Sequence, residues 1–392
     1  MGYLRWCWEG KSRGARAEVA RYVYSSIFLL TNFLAWLVRD YSHNALAKLH
    51  YLKGCKGGQD CLGTEGVLRV SMGCFIFHFC MFITTVGATK LQEYRDSWHS
   101  GLWHLKGLMW ISVMIMPFLF PPAVIQLYGE VARFGAGIFL LIQLVGIVKF
   151  ITWWNDRWMS DDTGRCRAAA IMVSTTAYSA SVCGIILMYI RYAPKASCSL
   201  NIFFVTWTLI LLQIMTGISL HSKANAGLLA SGLMGLYIVF LCWSAIRSEP
   251  IMDKCNPRKQ ATGKGDWINI VSFIIAVLAI VMAAFSAGIE SRYFQFSKSE
   301  LQSDDDVPYG YGFFHFVFSM GSMYFAMLFV GWNLHQTMEK WSIDIGWAST
   351  WVKIVNEWLA AILYKAISIM PMCISLVFAC ASNAPCEFRD MD

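Results

Sequence analysis

The amino-acid sequence predicts an all-α integral membrane protein with ten transmembrane helices. Three observations carry that reading. Of its 392 residues, 57% are hydrophobic and 15% charged, where soluble domains hold about 25% charged residues. Aromatic residues reach 15%, which suits belts of rings at the two membrane interfaces. Apolar stretches long enough to cross about 30 Å of hydrocarbon, which takes about 20 residues, recur ten times. A soluble core of this chain length could not hide so much apolar surface without several domains.

The ten stretches lie near 22–39, 66–88, 102–120, 122–155, 167–192, 200–220, 226–247, 266–290, 310–332 and 348–378. In lipid every backbone amide must be satisfied within the structure, so these segments should be helices rather than open strands. Polar connectors such as "KLQEYRDSWHSG" and "RSEPIMDKCNPRKQATGKGDW" separate most of them. No internal repeat and no long linker divides the chain. The expected organisation is an N-terminal segment 1–21, one transmembrane domain 22–378 and a tail 379–392.

The first span should be a signal anchor, because its basic approach runs into apolar sequence without an A-x-A-like site. Trp6 stands where myristoylation wants Ser or Thr, and Cys7 reads as an unmodified thiol rather than a palmitoylated one. Arg5, Lys11, Arg13, Arg16 and Arg21 precede the span and favour a cytosolic N-terminus. Ten spans bring the C-terminus to the same side. The loops add little to this, with about fourteen Lys and Arg on one side and about twelve on the other. The net charge of +7 reads as loop charge facing anionic headgroups rather than a nucleic-acid footprint.

The fourth span is unusual in length. Pro121 and Pro122 suit a helix start, and no proline follows until past Trp158. Roughly 35 residues give about 50 Å of helix, so the helix must tilt or protrude. Its far end reads "LIQLVGIVKFITWWNDRW". Lys149 there either snorkels to the interface, with Trp153, Trp154 and Trp158 as interfacial anchors, or lines a polar groove.

Cysteine usage orients the opposite face. Cys55, Cys61, Cys198 and Cys255 all fall in connectors on the side away from the termini. Paired cysteines persist in oxidising compartments, so that side should be lumenal or extracellular. Of the three connectivities, Cys55–Cys61 with Cys198–Cys255 is preferred, because "CKGGQDC" is a glycine-softened loop able to close on itself. Free thiols are the alternative.

Motifs for phosphate, ester or metal chemistry are absent from the sequence, so no catalytic residue, metal ligand or cofactor is expected. His78 and His315 lie inside apolar spans and read as lone histidines bonded to a neighbouring helix. Charged and polar residues inside spans are the remaining signal. Arg69 opens the second span, while Glu130 and Arg133 sit three apart on the fourth. Gln143 precedes Lys149 by six residues, and Glu357 and Lys365 interrupt the tenth span. Each alone is more often structural, but together they suggest a bundle with a hydrophilic seam. The acidic "SKSELQSDDD" reads as a solvated linker rather than a kinase or adaptor site.

Ordered blocks then give a family resemblance. "GCKGGQDCLG…LRVSMG", "WHSGLWHLKGL", "LLIQLVGIVKFITWWNDRW", "YAPKASCS", "CWSAIRSEP…CNP", "YGYGFFHFVFSMGSMYFAML", "WASTWVKIVNEWL" and "CEFRDMD" follow one another as in the serine incorporator (SERINC) family. The resemblance runs from about Cys55 to the C-terminus, and the first block resembles plant members. It implies ten helices in two bundles connected by a long diagonal helix, which agrees with the length of the fourth span. It also implies lipid binding and non-selective, energy-independent transbilayer movement of phospholipids.

The alternatives are an accessory or carrier protein promoting serine incorporation into phosphatidylserine and sphingolipids, or a membrane scaffold. A midplane amino-acid site usually shows matched broken helices in two halves, and Pro371 has no such counterpart. Arg69, Gln143, Lys149, Asn155 and Lys365 are the candidates for lipid-headgroup contact. Expected partners are membrane phospholipids, with sphingolipids or sterols beside them, and no nucleic acid. A homo-oligomer is compatible with the sequence, as is residence in an endomembrane or the plasma membrane.

Overall fold

A computed structural model describes residues 2–41, 59–91, 93–159, 165–220, 228–250, 255, 266–289, 306–334 and 343–381. Among these residues, helix occupies most of each of the ten expected apolar stretches. The helices are α1 (Gly2–Tyr41), α2 (Gln59–Thr85), α3 (Tyr94–Ser100), α4 (Trp103–Ile115), α5 (Pro122–Met159) and α6 (Arg165–Tyr192). They continue with α7 (Ser199–Leu220), α8 (Leu228–Arg247), α9 (Asp266–Ile289), α10 (Tyr311–Phe329) and α11 (Trp347–Ala381). Among the described residues no strand forms beyond an isolated bridge between Lys90 and Asp306. Seven of the described helices are long and apolar enough to cross a membrane, or up to eight when one bent pair counts as a span.

The bent pair is where the third expected span departs from a simple rod. Helix α3 meets the segment Trp103–Leu119 at 68°. Leu102 holds a left-handed φ of 53° at the break, a conformation costly for a residue with a Cβ. Gly101 precedes it because a Cβ there would lie 2.8 Å from the Ser97 carbonyl oxygen. The bend places His99 and Lys106, which flank it, against the same neighbours.

The chain forms two compact units. Unit 1 contains Met1–Gly146 and Thr262–Ser349, and unit 2 contains Ile147–Ala261 and Thr350–Asp392. Each is assembled from separated stretches of sequence, which is why no linker marks a boundary. Helices α5 and α11 are continuous across the divisions.

In unit 1, α2 and α10 run antiparallel, because His78 lies beside His315 and Ser71 beside Ser322. Their shared face is nearly all buried, with Phe28 of α1, Phe77 and Phe318 fully enclosed. Phe28 and Phe318 meet edge to face at 5.1 Å, a favoured aromatic geometry. Arg39 of α1 donates from Nη1 to the Phe329 carbonyl at 3.1 Å and from Nε to Asp40 at 2.7 Å, satisfying an end carbonyl of α10.

In unit 2, α6, α7 and α8 pack with the described part of α11 over Val205, Met234, Ile238, Ala245 and Ile354. Gly232 allows close approach, since a Cβ there would lie 3.3 Å from the Ser174 carbonyl. Cys198 and Cys255 form a disulfide across 57 residues of sequence. Cys55 lies outside the described residues, and of Cys61 only the helical backbone is described.

Closing a loop of this length restricts the unfolded chain, a gain of about 2–4 kcal/mol. Thermal unfolding of the purified protein should therefore shift downward with dithiothreitol, and Cys198→Ser should abolish that sensitivity.

Candidate functional site

Three sets of polar side chains lie in the helices, one displayed along α5 and two enclosed within the separate units. Helix α5 has 38 residues and is about 57 Å long. Val124, Leu127, Val131, Phe134, Ile138 and Leu141 are exposed along one stripe, spaced three and four apart as a single helical face requires. Beside that stripe stand Glu130 and Arg133, joined by a 2.6 Å ion pair with side chains 52% and 37% exposed. Further along, Gln143 and Lys149 are half-buried.

The tryptophans expected as anchors follow on the same helix. Trp153 is exposed, and Trp154 and Trp158 are half-buried with their rings 5.1 Å apart. Asn155 is enclosed at 4% exposure, donates to Asp156 at 3.3 Å, and keeps a buried Oδ1 with no hydrogen-bond donor. Lys365 of α11 is exposed.

Arg69 has a different setting from the other four headgroup candidates. Its side chain is fully buried, with Nη1 donating to the Pro117 and Phe120 carbonyls and Nη2 to Glu65 at 3.4 Å. The reason lies in the prolines. A helical Pro117 carbonyl would bond the amide four residues on, but that residue is Pro121 and has no N–H. The Phe120 N–H donates to the Pro117 carbonyl at 3.3 Å, the arginine adds a second donor there and one at the Phe120 carbonyl, and Glu65 one turn earlier balances its charge.

The second set lies inside unit 1 and joins residues the sequence left apart. His78 and His315 are not lone histidines. Their Nδ1 atoms lie 3.3 Å apart, His315 Nε2 is 3.1 Å from His99 Nδ1, and His99 Nε2 is 2.9 Å from the Tyr309 hydroxyl. All three rings are fully buried. Lys106 Nζ and the Tyr24 hydroxyl both donate to the His99 carbonyl, at 2.8 and 2.9 Å. The Lys106 ammonium also lies 4.5 Å from the Trp103 ring and 5.4 Å from Tyr24, where ring faces replace part of its lost hydration.

Tyr311 stacks on His99 at 4.0 Å and donates to Asp96 at 2.7 Å. Tyr309, just outside α10, has its phenol pushed well above the ordinary value by burial, so it stays protonated. The histidines form a chain rather than a cage: among the described residues no three His, Cys, Asp or Glu are arranged to hold a metal ion.

The third set lies inside unit 2. Lys353 donates to Ser248 Oγ at 2.6 Å and to the Ser244 carbonyl at 3.4 Å. Asn201 donates to Glu249 at 3.3 Å and to the Tyr192 carbonyl at 3.0 Å. Glu357, 1% exposed, meets the Thr208 hydroxyl at 2.8 Å through Oε1, while Oε2 has no hydrogen-bond partner. Lys353 and Glu357 are one turn apart on α11, yet the lysine reaches across to α8.

Of the sequence candidates, Gln143, Lys149 and Asn155 share α5, and neither Arg69 nor Lys365 lies on that helix. Lys106, His99 and Tyr309 were missed. Lys106 carried a readable signal, a lysine four residues into an apolar span. His99 and Tyr309 sit in connectors and carried none.

Arg69→Met should leave Glu65 as an unpaired buried charge and take the guanidinium donors from the Pro117 and Phe120 carbonyls. Breaking one side of a buried pair costs about 3–5 kcal/mol, read as a lower unfolding midpoint in detergent. The double variant Arg69→Met/Glu65→Leu should recover part of the loss.

Comparison with known proteins agrees with this architecture. The family described as serine incorporator (Serinc) matches residues 5–307 and 290–376. A probable serine incorporator of Dictyostelium discoideum is 26% identical over 344 residues, covering 81% of this chain and 82% of its own. Serine incorporator 5 of Mus musculus is 26% identical over 91% of this chain and 92% of its own, and serine incorporator 3 of Bos taurus is 25% identical over 79% and 78%. With a family match across nearly its whole length and an all-helical, multipass structure, the chain belongs to the serine incorporator family.

Proposed function

We propose that this protein binds membrane phospholipids and lets them move between leaflets along α5, without an energy source and without headgroup selection. The single observation that carries the reading is the polar track on that helix. An exposed Glu130–Arg133 pair and half-buried Gln143 and Lys149 stand beside an exposed apolar stripe. A helix about 57 Å long exceeds the roughly 30 Å of hydrocarbon, so it tilts or thins the bilayer, and either shortens the apolar path a headgroup must cross. Headgroup phosphates meet Lys149, while Gln143 and Asn155 offer hydrogen bonds and the acyl tails remain in lipid against the apolar stripe. Lys365, exposed on α11, is a further cation for the same chemistry. Arg69 is left out of this set because its terminal nitrogens are already bonded inside unit 1.

Reconstitution into liposomes carrying fluorescent lipids, with dithionite quenching from outside, tests the reading. Loss of fluorescence should pass well beyond the outer-leaflet half at a rate that grows with protein dose. Gln143→Ala/Lys149→Ala/Lys365→Ala should slow it about tenfold, the equivalent of roughly 1.4 kcal/mol of barrier. Quenching that stops near half would overturn lipid movement. Saturable binding of labelled serine by the same preparation would then favour the carrier role that the relatives' name suggests.

A further inference from the structure

The hydrogen bonds around His99 have a direction. The Tyr309 hydroxyl has one proton, and the Ala17 carbonyl 2.9 Å away can only accept it. The Tyr309 oxygen therefore accepts from His99 Nε2–H. An enclosed ring with no counter-ion is neutral, so His99 Nδ1 is a lone pair and accepts from His315 Nε2–H. By the same count, His315 Nδ1 accepts from His78 Nδ1–H. Every bond points the same way, from the interior toward Tyr309. What remains is the lone pair of His78 Nε2, buried and without a hydrogen-bond partner among the described residues.

That lone pair belongs to a longer polar line. On α2 the buried residues Ser71, Cys74, His78 and Thr85 share one face. On the facing side of α10 stand His315, Ser319 and Ser322, also fully buried. Ser71 bonds Tyr128 at 2.7 Å and the Ser322 carbonyl at 2.8 Å. From Ser71 to Thr85 is about 21 Å along the helix, roughly two thirds of the hydrocarbon thickness. In a packed helical bundle one polar residue is ordinary, but a line of this length through the most enclosed interface is not explained by packing.

We propose that unit 1 conducts protons along this line, entering the histidine chain at His78 Nε2 and leaving from the Tyr309 hydroxyl. The proton balance closes without a co-reactant. One proton from water bonds His78 Nε2, and His78 passes its Nδ1 proton to His315 Nδ1. His315 then passes its Nε2 proton to His99 Nδ1, and His99 passes its own to the Tyr309 oxygen. Tyr309 releases its original proton to water, by way of partly exposed Glu18 next to Ala17. The rings end neutral with every bond reversed, and rotation of the rings and of the Tyr309 hydroxyl resets them. Between Ser71 and His78, about 10 Å on the helix, Cys74 and Ser319 are the buried polar side chains that the path passes.

The charged and titratable groups around the chain fit transfer rather than storage. Lys106 of α4 sits 2.8 Å from the His99 carbonyl, so a positive charge resting on that ring would be repelled. Tyr24 and Arg21 come from α1, Asp96 from α3, Cys74 from α2 and Tyr311 from α10, and Asp96 is already held by Tyr311.

Full-length protein in phosphatidylcholine liposomes containing pyranine, with a potassium gradient and valinomycin, tests this. Wild type should change the internal pH faster than protein-free vesicles. His315→Gln keeps a donor and an acceptor but cannot exchange tautomers, so its flux should fall to the protein-free rate while dithionite-read lipid movement is unchanged. Wild-type flux equal to that of empty vesicles, or full flux in His315→Gln, would overturn the proposal. Nitrogen-15 spectra of histidine-labelled wild type give an independent reading that needs no variant. They should show Nδ1–H on His78 and Nε2–H on His315 and His99, and the opposite tautomers would overturn the assigned direction. None of these outcomes depends on α5, so the lipid reading stands or falls separately.

Discussion

Hydrocarbon offers no water to a polar group, and the rest of this structure follows from that constraint. Backbone amides are satisfied by winding every apolar stretch into helix. Where winding fails, side chains stand in. At the α4–α5 junction, Pro121 has no amide for the Pro117 carbonyl, and Arg69 is enclosed to donate to that carbonyl and to the one of Phe120. At the end of α10, Arg39 does the same for Phe329. These arginines look like functional charges in the sequence, but their donors are consumed by the backbone of other helices.

The same constraint separates the three polar sets by what they can do. Groups enclosed and paired, such as Asn201 on Glu249, hold helices together. Half-buried groups on α5 remain partly accessible. The histidine chain is a third kind, fully enclosed yet able to relay, because an imidazole carries donor and acceptor on opposite sides of one ring. Enclosure therefore does not remove function when the chemistry is proton transfer, whereas it does for headgroup contact.

Much of the fold was legible because a single span is a local property. Length and hydropathy located the helices, seven or eight of which are long and apolar enough to span among the described residues, and the prolines before Ala123 marked the start of the long helix. The Cys198–Cys255 pair was also anticipated from its place in the connectors. The bend at Gly101 and Leu102 was not, since a short amphipathic helix such as "YRDSWHS" carries too little periodicity to be seen. The two units were hidden for a different reason. Each draws on both ends of the chain, so composition never shifts at a boundary. The histidine cluster needed the antiparallel register of α2 and α10, which no local pattern states. Read singly, His78 and His315 each gave the bland answer.

That register has a consequence for biogenesis. His78 and His315 are 237 residues apart in sequence. At about 5–20 residues per second of synthesis, His78 waits roughly 10–50 seconds before its partner exists. Arg39 and Ser71 wait about as long for α10. Throughout that interval α1 and α2 hold polar faces toward lipid or toward whatever shields them at the site of insertion. The most enclosed interface of the mature protein is thus the last part of unit 1 to close, and its early helices must tolerate membrane half-assembled.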